Sequence, residues 1–351
     1  MKKAANAAPP GIDFPRTMPI TVQGHHLPKR QDVRRSDFDI TNKIRTTDPD
    51  EVCAEAVRIF RGLFVRGDVK PMRLAFAEFS RMYQGEHPDY HPCDTDYHDI
   101  QHVLDVTLAM VRLLDGYQRS AQKNGPLTPE YFIVGVITAL FHDVGYLRRR
   151  SDHRHKFGAE YTLTHVARGS RFLRSFLPRI GLKKYADDAA TMVHFTGYER
   201  DATKIRMKNK VLRRVGEILG SADIIGQMSD RCYLEKCHDR LYPEFLIGGL
   251  ARRKMPDGKV VVIYKSGKDL LRKTPAFYSN AIKRLDEKLH QAYKYAETFF
   301  KGKNPYMKEM EKNKEHAMAA TRIPGRRGLR RTPPSTLLPG VRSVPENLVI
   351  R

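Results

Sequence analysis

The stretch FIVGVITALF, residues 132–141, runs ten residues without a charge. It falls short of the ~18 apolar residues that a membrane span requires, yet it is long for a strand. A helix buried on nearly every side is the remaining solution, and such a helix needs other helices around it. Thr128 is its expected N-cap and Pro129 its first helical residue. Partners follow from the same periodicity. DPDEVCAEAVRIFRGLF opens with an acidic first turn and then repeats apolar residues at helical spacing. HDIQHVLDVTLAMVRLLDGY places Ile100, Val103, Leu104, Leu108, Val111 and Leu114 on one broad face. Further helices are expected over 157–178, 183–197, 209–226, 229–247 and 277–300. Only RKMPDGKVVVIYKSG, residues 253–267, breaks the pattern: Pro-Asp-Gly before a β-branched run predicts a short hairpin. The expected architecture is a single all-α domain with a small β-hairpin.

The ends read differently. Residues 1–48 are rich in Pro, Arg, Lys and Asp without a sustained period, and are expected to be mostly disordered. The domain is expected over 49–300, and 301–351 as a short helix followed by a basic, Pro/Arg-rich disordered tail. A hydrophobic content of 40% fits a chain of which part does not pack. Four irregularly spaced cysteines (53, 93, 232 and 237) make no disulfide framework. The two lysines at the start have no apolar stretch behind them, so no signal peptide is expected, and a soluble cytoplasmic protein is the reading. Basic residues crowd 147–156, 199–214 and the tail, for a net charge of +23. Such charge suits a phosphorylated small molecule or a polyanion, but does not by itself make a nucleic-acid binder.

Three His-Asp pairs compete for attention: His98-Asp99, His142-Asp143 and His238-Asp239. With 14 His and 40 acidic residues in 351, one or two such pairs arise by chance. His238-Asp239 lies in a polar helical stretch without a second His nearby, and carries little weight. His142-Asp143 ends the apolar helix, where polar groups persist only if paired or metal-bound, and Gly145 is expected to close that helix. His98 and His102 are four apart and are expected on one helical face, as a metal site or an acid/metal pair requires. Asp223 follows a further apolar stretch, beside the small residues Ser221 and Ala222. Two imidazoles with two carboxylates suit Zn, Fe or Mn.

YHDIQH, ALFHDVGY and GSADIIGQ, in that order, resemble the H…HD…D signature of the HD-domain metal-dependent phosphohydrolases. The first is similar to the Tyr-His-Asn-x-x-His motif of the class I cyclic-nucleotide phosphodiesterases within that superfamily. The resemblance covers roughly residues 50–300 and implies an HD-domain helical bundle. It implies His102, His142, Asp143 and Asp223 as first-metal ligands, with Asp143 bridging to a second, mostly water-coordinated ion, Mg or Mn. His98 then stands where the general acid stands, and Asp143 belongs to the catalytic set. Second-tier candidates for the second metal or a phosphate are Glu160, His194, Arg148 and Lys156, with Arg149 and Arg150 as further phosphate contacts. His153 and His155 read as surface histidines.

Two departures limit what carries over. Asp99 stands where the phosphodiesterase motif has Asn, and no glutamine takes the place of the purine reader: Gln227 is too close to Asp223, and Gln291 lies on the last helix. The expected function is hydrolysis of a phosphate ester of a nucleotide, a cyclic-nucleotide phosphodiester first. The alternatives are a nucleotidase or pyrophosphohydrolase, or a non-catalytic metal-containing regulator that binds a nucleotide or RNA. Neither a membrane partner nor a particular oligomeric state is implied.

Overall fold

The computed structural model describes residues 34–120, 125–255, 257–323 and 328–345. The expectations for residues 1–33 and 346–351 lie outside these. Asp48 caps α1 (Pro49–Leu63), accepting from the backbone N–H groups of Asp50 and Glu51, with Pro49 in the first helical turn. Helix α2 (Lys70–Tyr83) likewise begins with a Pro in its first turn. Next come α3 (Ile100–Arg119) and α4 (Pro129–Leu140). Thr128 caps α4 as expected, its hydroxyl accepting from Tyr131 N at 3.2 Å. Every residue of α4 from Phe132 to Leu140 is buried, so the apolar run is indeed the middle of the molecule.

Helices α5 (His165–Phe176), α6 (Ala186–Met192) and α7 (Lys210–Met228) complete the layer around it. Asn209 caps α7 through bonds to Val211 N and Leu212 N. Helices α3, α4 and α7 pack against one another around Gly135. A Cβ there would stand 2.8 Å from the Val215 side chain and 2.9 Å from that of Met110, so any larger residue would push the packed side chains aside. Phe132 and Phe141 are fully buried, and burial of each such side chain stabilises the fold by roughly 1.5–3 kcal/mol.

The expected long helices are subdivided. The 157–178 segment becomes a 3-10 turn, Gly158–Tyr161, then α5, and 183–197 becomes α6 between two 3-10 turns. The 229–247 segment is α8 (Tyr233–Lys236), a π turn (Cys237–Leu241) and α9 (Tyr242–Ile247). Pro243, which has no N–H to give the turn before it, coincides with that widening. The hairpin pairs β1 (Arg252–Lys254) antiparallel with β2 (Val260–Val262), and all three valines are exposed.

Two short helices follow, α10 (Gly267–Arg272) and α11 (Thr274–Lys283), then α12 (Tyr295–Phe300) and α13 (Pro305–Ala320). The expected 277–300 helix breaks where His290 and Gln291 take positive φ, so Gln291 sits in a turn and not on the last helix. The packed chain also extends beyond 49–300. Residues 34–48 form turns held by a Phe38–Arg45 bridge. Asp39 there is buried, meets the Arg112 guanidinium of α3 at 2.5 Å, and accepts from Lys43 N and Ile44 N. Arg112 donates in turn to the Tyr306 hydroxyl of α13 at 2.9 Å, so one buried ion pair joins three parts of the chain. At the other end, 328–345 has no helix but makes several hydrogen bonds to the bundle.

Candidate metal centre and active site

Three elements deliver the candidate ligands. Asp99 is the N-cap of α3 and accepts from His102 N at 2.9 Å, so the cap itself sets the first turn that aims His102. His98 therefore lies before the helix and not on it, contrary to the expected shared face. The rings of His98 and His102 nevertheless meet edge to face, 5.6 Å apart. His142 and Asp143 occupy the turn between α4 and a 3-10 turn, Val144–Tyr146. Gly145 does not end the helix by a left-handed cap. A Cβ on it would stand 1.9 Å from the carbonyl oxygen of His165, so glycine is needed for α5 to approach the His-Asp turn. Asp223 comes from α7, beside the fully buried Ser221 and Ala222.

These side chains converge. His102 Nε2 lies 3.2 Å from Asp143 Oδ2 and 3.8 Å from Asp223 Oδ1. His142 Nε2 lies 3.1 Å from Asp143 Oδ2 and 3.8 Å from Asp223 Oδ1. Ligand atoms of His102, His142 and Asp223 all fall within 4.8 Å of one another, a spacing that a single metal ion can span. His142 Nδ1 donates to the Ala139 carbonyl at 2.7 Å, which turns Nε2 towards the centre. His142 Nε2 and Asp143 Oδ2 are buried, and despite their approach neither has the direction a hydrogen bond needs. Orphaned atoms at such depth are costly unless something else binds them. The donor set therefore fits a divalent cation.

The electrostatics agree. Burial by itself would lower the His142 imidazole, but the Asp143 and Asp223 carboxylates and the Ala139 carbonyl overcome it, and it is pushed up to about 9. Burial works to raise the Asp143 carboxyl, yet the His142 and His102 imidazoles hold it well below the usual range. A pocket with this field attracts positive charge.

Three residues that sequence reasoning did not single out complete the site. Glu244, fully buried on α9, places Oε2 2.5 Å from His98 Nδ1 and accepts from Tyr97 N at 2.6 Å. Burial would lower the His98 imidazole, but Glu244 outweighs it and the net shift is upward. Tyr146 stacks between His98 and His165, with ring separations of 4.3 and 4.4 Å. His165 donates from Nδ1 to the Thr162 carbonyl and turns Nε2 towards Asp143 Oδ1, 3.6 Å away. The one trace of Glu244 in the sequence is a lone acid within YPEFLI.

The second-tier candidates have other partners. Glu160 Oε1 accepts from Lys156 N and Phe157 N, closing the turn before α5, and Lys156 is exposed. Arg148 donates to Asp94 at 2.8 Å, a reason for its guanidinium to stay with that carboxylate and not a phosphate. His194 is buried and bonds Glu199 through Nδ1 at 2.7 Å. His155 pairs with Asp152 at 2.9 Å, and His153 lies with Arg149, Arg154 and Arg168 on a surface cleft of about 360 Å³. Arg149 stands over the Tyr90 ring, and Arg150 donates to the Gly85 carbonyl. His238 bonds its neighbour Asp239 at 2.8 Å. Gln227 faces the Tyr97 hydroxyl.

All four cysteines are buried and free. Among the described residues, no helix is long and apolar enough to cross a membrane. No protein-family model and no curated protein matches the sequence. Among solved structures, this chain is similar to the phosphodiesterase domain of the RhoPDE fusion protein from the choanoflagellate Salpingoeca rosetta. The TM-score is 0.47 at 14% identity, over 82% of this chain and 95% of that one.

Proposed function

We propose that this chain is a divalent-metal-dependent phosphohydrolase that cleaves a phosphate ester of a nucleotide, with a cyclic-nucleotide phosphodiester as the first substrate to test. The observation that carries the reading is the pair of orphaned buried atoms, His142 Nε2 and Asp143 Oδ2, facing His102 and Asp223. His102, His142, Asp143 and Asp223 would hold the first ion, for which Zn, Fe or Mn suits two imidazoles and two carboxylates. Asp143, whose Oδ1 lies 3.6 Å from His165 Nε2, would also serve a second ion, Mg or Mn. Bound there, such ions supply a Lewis acid for phosphoryl oxygens and lower the pKa of water.

The side chains supply the remainder. Glu244 holds His98 by Nδ1, which leaves Nε2 to carry a proton to the departing oxygen. The same carboxylate favours the imidazolium over the neutral ring. Acid catalysis of this kind contributes typically about 10²–10⁴-fold. Tyr146, stacked on His98, restricts the swing of its ring. A binding-only regulator has no use for an acid histidine held by a buried carboxylate, which weighs against that alternative.

The test is a screen of the purified protein. Cyclic mononucleotides, nucleoside mono- and triphosphates and bis-p-nitrophenyl phosphate are offered with Mn, Mg, Fe or Zn. Diester cleavage is the expected result, and terminal phosphate release would point to the nucleotidase variant. No turnover in any combination, together with RNA binding that weakens steeply with salt, would overturn the enzyme reading.

A further inference from the structure

The segment 328–345 does not lie idle on the surface. Its backbone N–H groups at Arg330 and Arg331 both donate to Glu235 Oε1, at 3.1 and 3.0 Å, and Glu235 is fully buried. The Arg240 guanidinium then reaches the carbonyls of Pro333 and Pro334, at 3.1 and 2.9 Å. The Thr336 hydroxyl donates to Asp99 Oδ2 at 2.9 Å, and the buried Ser343 hydroxyl to Asp96 Oδ2 at 2.5 Å. Leu329, just before these points, and Leu337, among them, pack against the core. The last two hydroxyls therefore clasp the two ends of the four-residue loop, 96–99, that carries His98.

We propose that residues 328–345 are a strap that positions His98, with Thr336 and Ser343 as its clasps. Asp99 makes this mechanical. Its Oδ1 caps the first turn of α3 at His102 N, and its Oδ2 receives Thr336, with Arg240 3.7 Å away. A carboxylate presents two acceptor oxygens where an asparagine presents one. Asp99, which departs from the Tyr-His-Asn-x-x-His pattern, thus holds the helix cap with one carboxylate oxygen and the strap with the other. Arg240 joins the two sides, since it also donates to the Asp96 carbonyl at 3.3 Å. With the clasps open, the loop keeps its Glu244 contacts but loses its outer restraint, and His98 samples positions from which it cannot reach the departing oxygen. Thr336 and Ser343 are positioning residues acting through Asp99 and Asp96.

The inference rests on the phosphohydrolase reading for its catalytic consequence, so two kinds of measurement are needed. The first is a leaving-group comparison on the full-length, metal-loaded protein carrying Thr336→Val and Ser343→Ala. Turnover of an ester with a poor leaving group, a cyclic nucleotide or alkyl diester, should fall about tenfold, a fraction of what an acid contributes. Bis-p-nitrophenyl phosphate, whose leaving group needs no acid, should change less than about twofold. Metal content should stay the same, and Thr336→Ser should restore the rate. The second is hydrogen exchange, which should become faster at amides 96–103 and not elsewhere in the bundle. Thr336→Val alone, which keeps shape and removes one hydroxyl, serves if the double variant folds poorly. Equal losses on both substrates, or unchanged exchange at 96–103, overturn the strap. If the wild type cleaves nothing while exchange still rises, the enzyme reading falls and the strap's hold on the loop stands.

Discussion

Glu244 Oε2 and His98 Nδ1 lie 2.5 Å apart, brought together across 146 residues of chain. On the proposed reading neither residue alone makes the acid: the imidazole would carry the proton, and the buried carboxylate holds its ring by Nδ1 and favours its charged form. Glu244→Gln keeps a hydrogen-bonding side chain of the same shape and removes the charge. Its kcat should fall about 10–100-fold, within the range for positioned acid catalysis, while bound metal remains at the wild-type level. Steady-state kinetics with elemental analysis of the same preparation checks this.

The metal and acid roles of the two histidines flanking Asp99 should separate. His102→Ala removes a donor from the four-residue cluster and should lower metal content along with activity. His98→Ala should lower turnover by about 10²–10⁴-fold with metal retained. Equal loss of metal from both variants would sink the division of labour.

Removal of metal should destabilise the fold as well as the activity. The orphaned His142 Nε2 and Asp143 Oδ2 lie 3.1 Å apart in the cluster. An ion that binds only the folded chain stabilises it by mass action, about 2.7 kcal/mol at a hundredfold excess over Kd. A chelator should therefore lower Tm, and Mn or Zn added back should raise it; a Tm indifferent to both would count against the cluster as a metal site.

Gly145→Ala should damage the site without touching a ligand. Its Cβ would collide with the His165 carbonyl at 1.9 Å, and backbone cannot move aside as a flexible side chain can. A loss of about 1–3 kcal/mol is expected for such overpacking, with reduced activity, read by urea unfolding and turnover together.

Acid should weaken the anchor of residues 34–48. The Asp39 carboxyl must overcome burial, and the Arg112 guanidinium beside it with hydrogen bonds from Ile44 and Thr41 holds it down to about 2. Its folded pKa is depressed, so its contribution is full above the ordinary value of 3.8 and is lost as pH falls through about 2. The shift corresponds to roughly 2 kcal/mol. Asp39→Asn, which leaves Arg112 buried without its charge partner, should cost about 3–5 kcal/mol at neutral pH. The gap between the two proteins should narrow by about 2 kcal/mol between pH 5 and pH 2 in urea titrations.

Much of the architecture was legible because helices write their periods locally. The apolar run 132–141, its Thr128 cap and the small hairpin are readable from neighbours within a few residues. The breaks were not. A widened turn at Pro243 and the left-handed pair His290-Gln291 depend on how each segment packs, and apolar spacing runs through them unchanged.

For the candidate site, the sequence by itself determined the residue types: three short motifs carry His98, His102, His142, Asp143 and Asp223, each beside or within an apolar helical stretch. Tertiary structure alone decided which atoms face which. It brought Glu244 to His98, slid Tyr146 between His98 and His165, and turned Thr336 and Ser343 onto the loop 96–99. Those partners lie between 19 and 247 residues from the groups they serve. The physical reason is one of range. Caps and periodicities act over a few residues and leave a local pattern, whereas a buried polar group finds its partner only after the helices that carry both have packed.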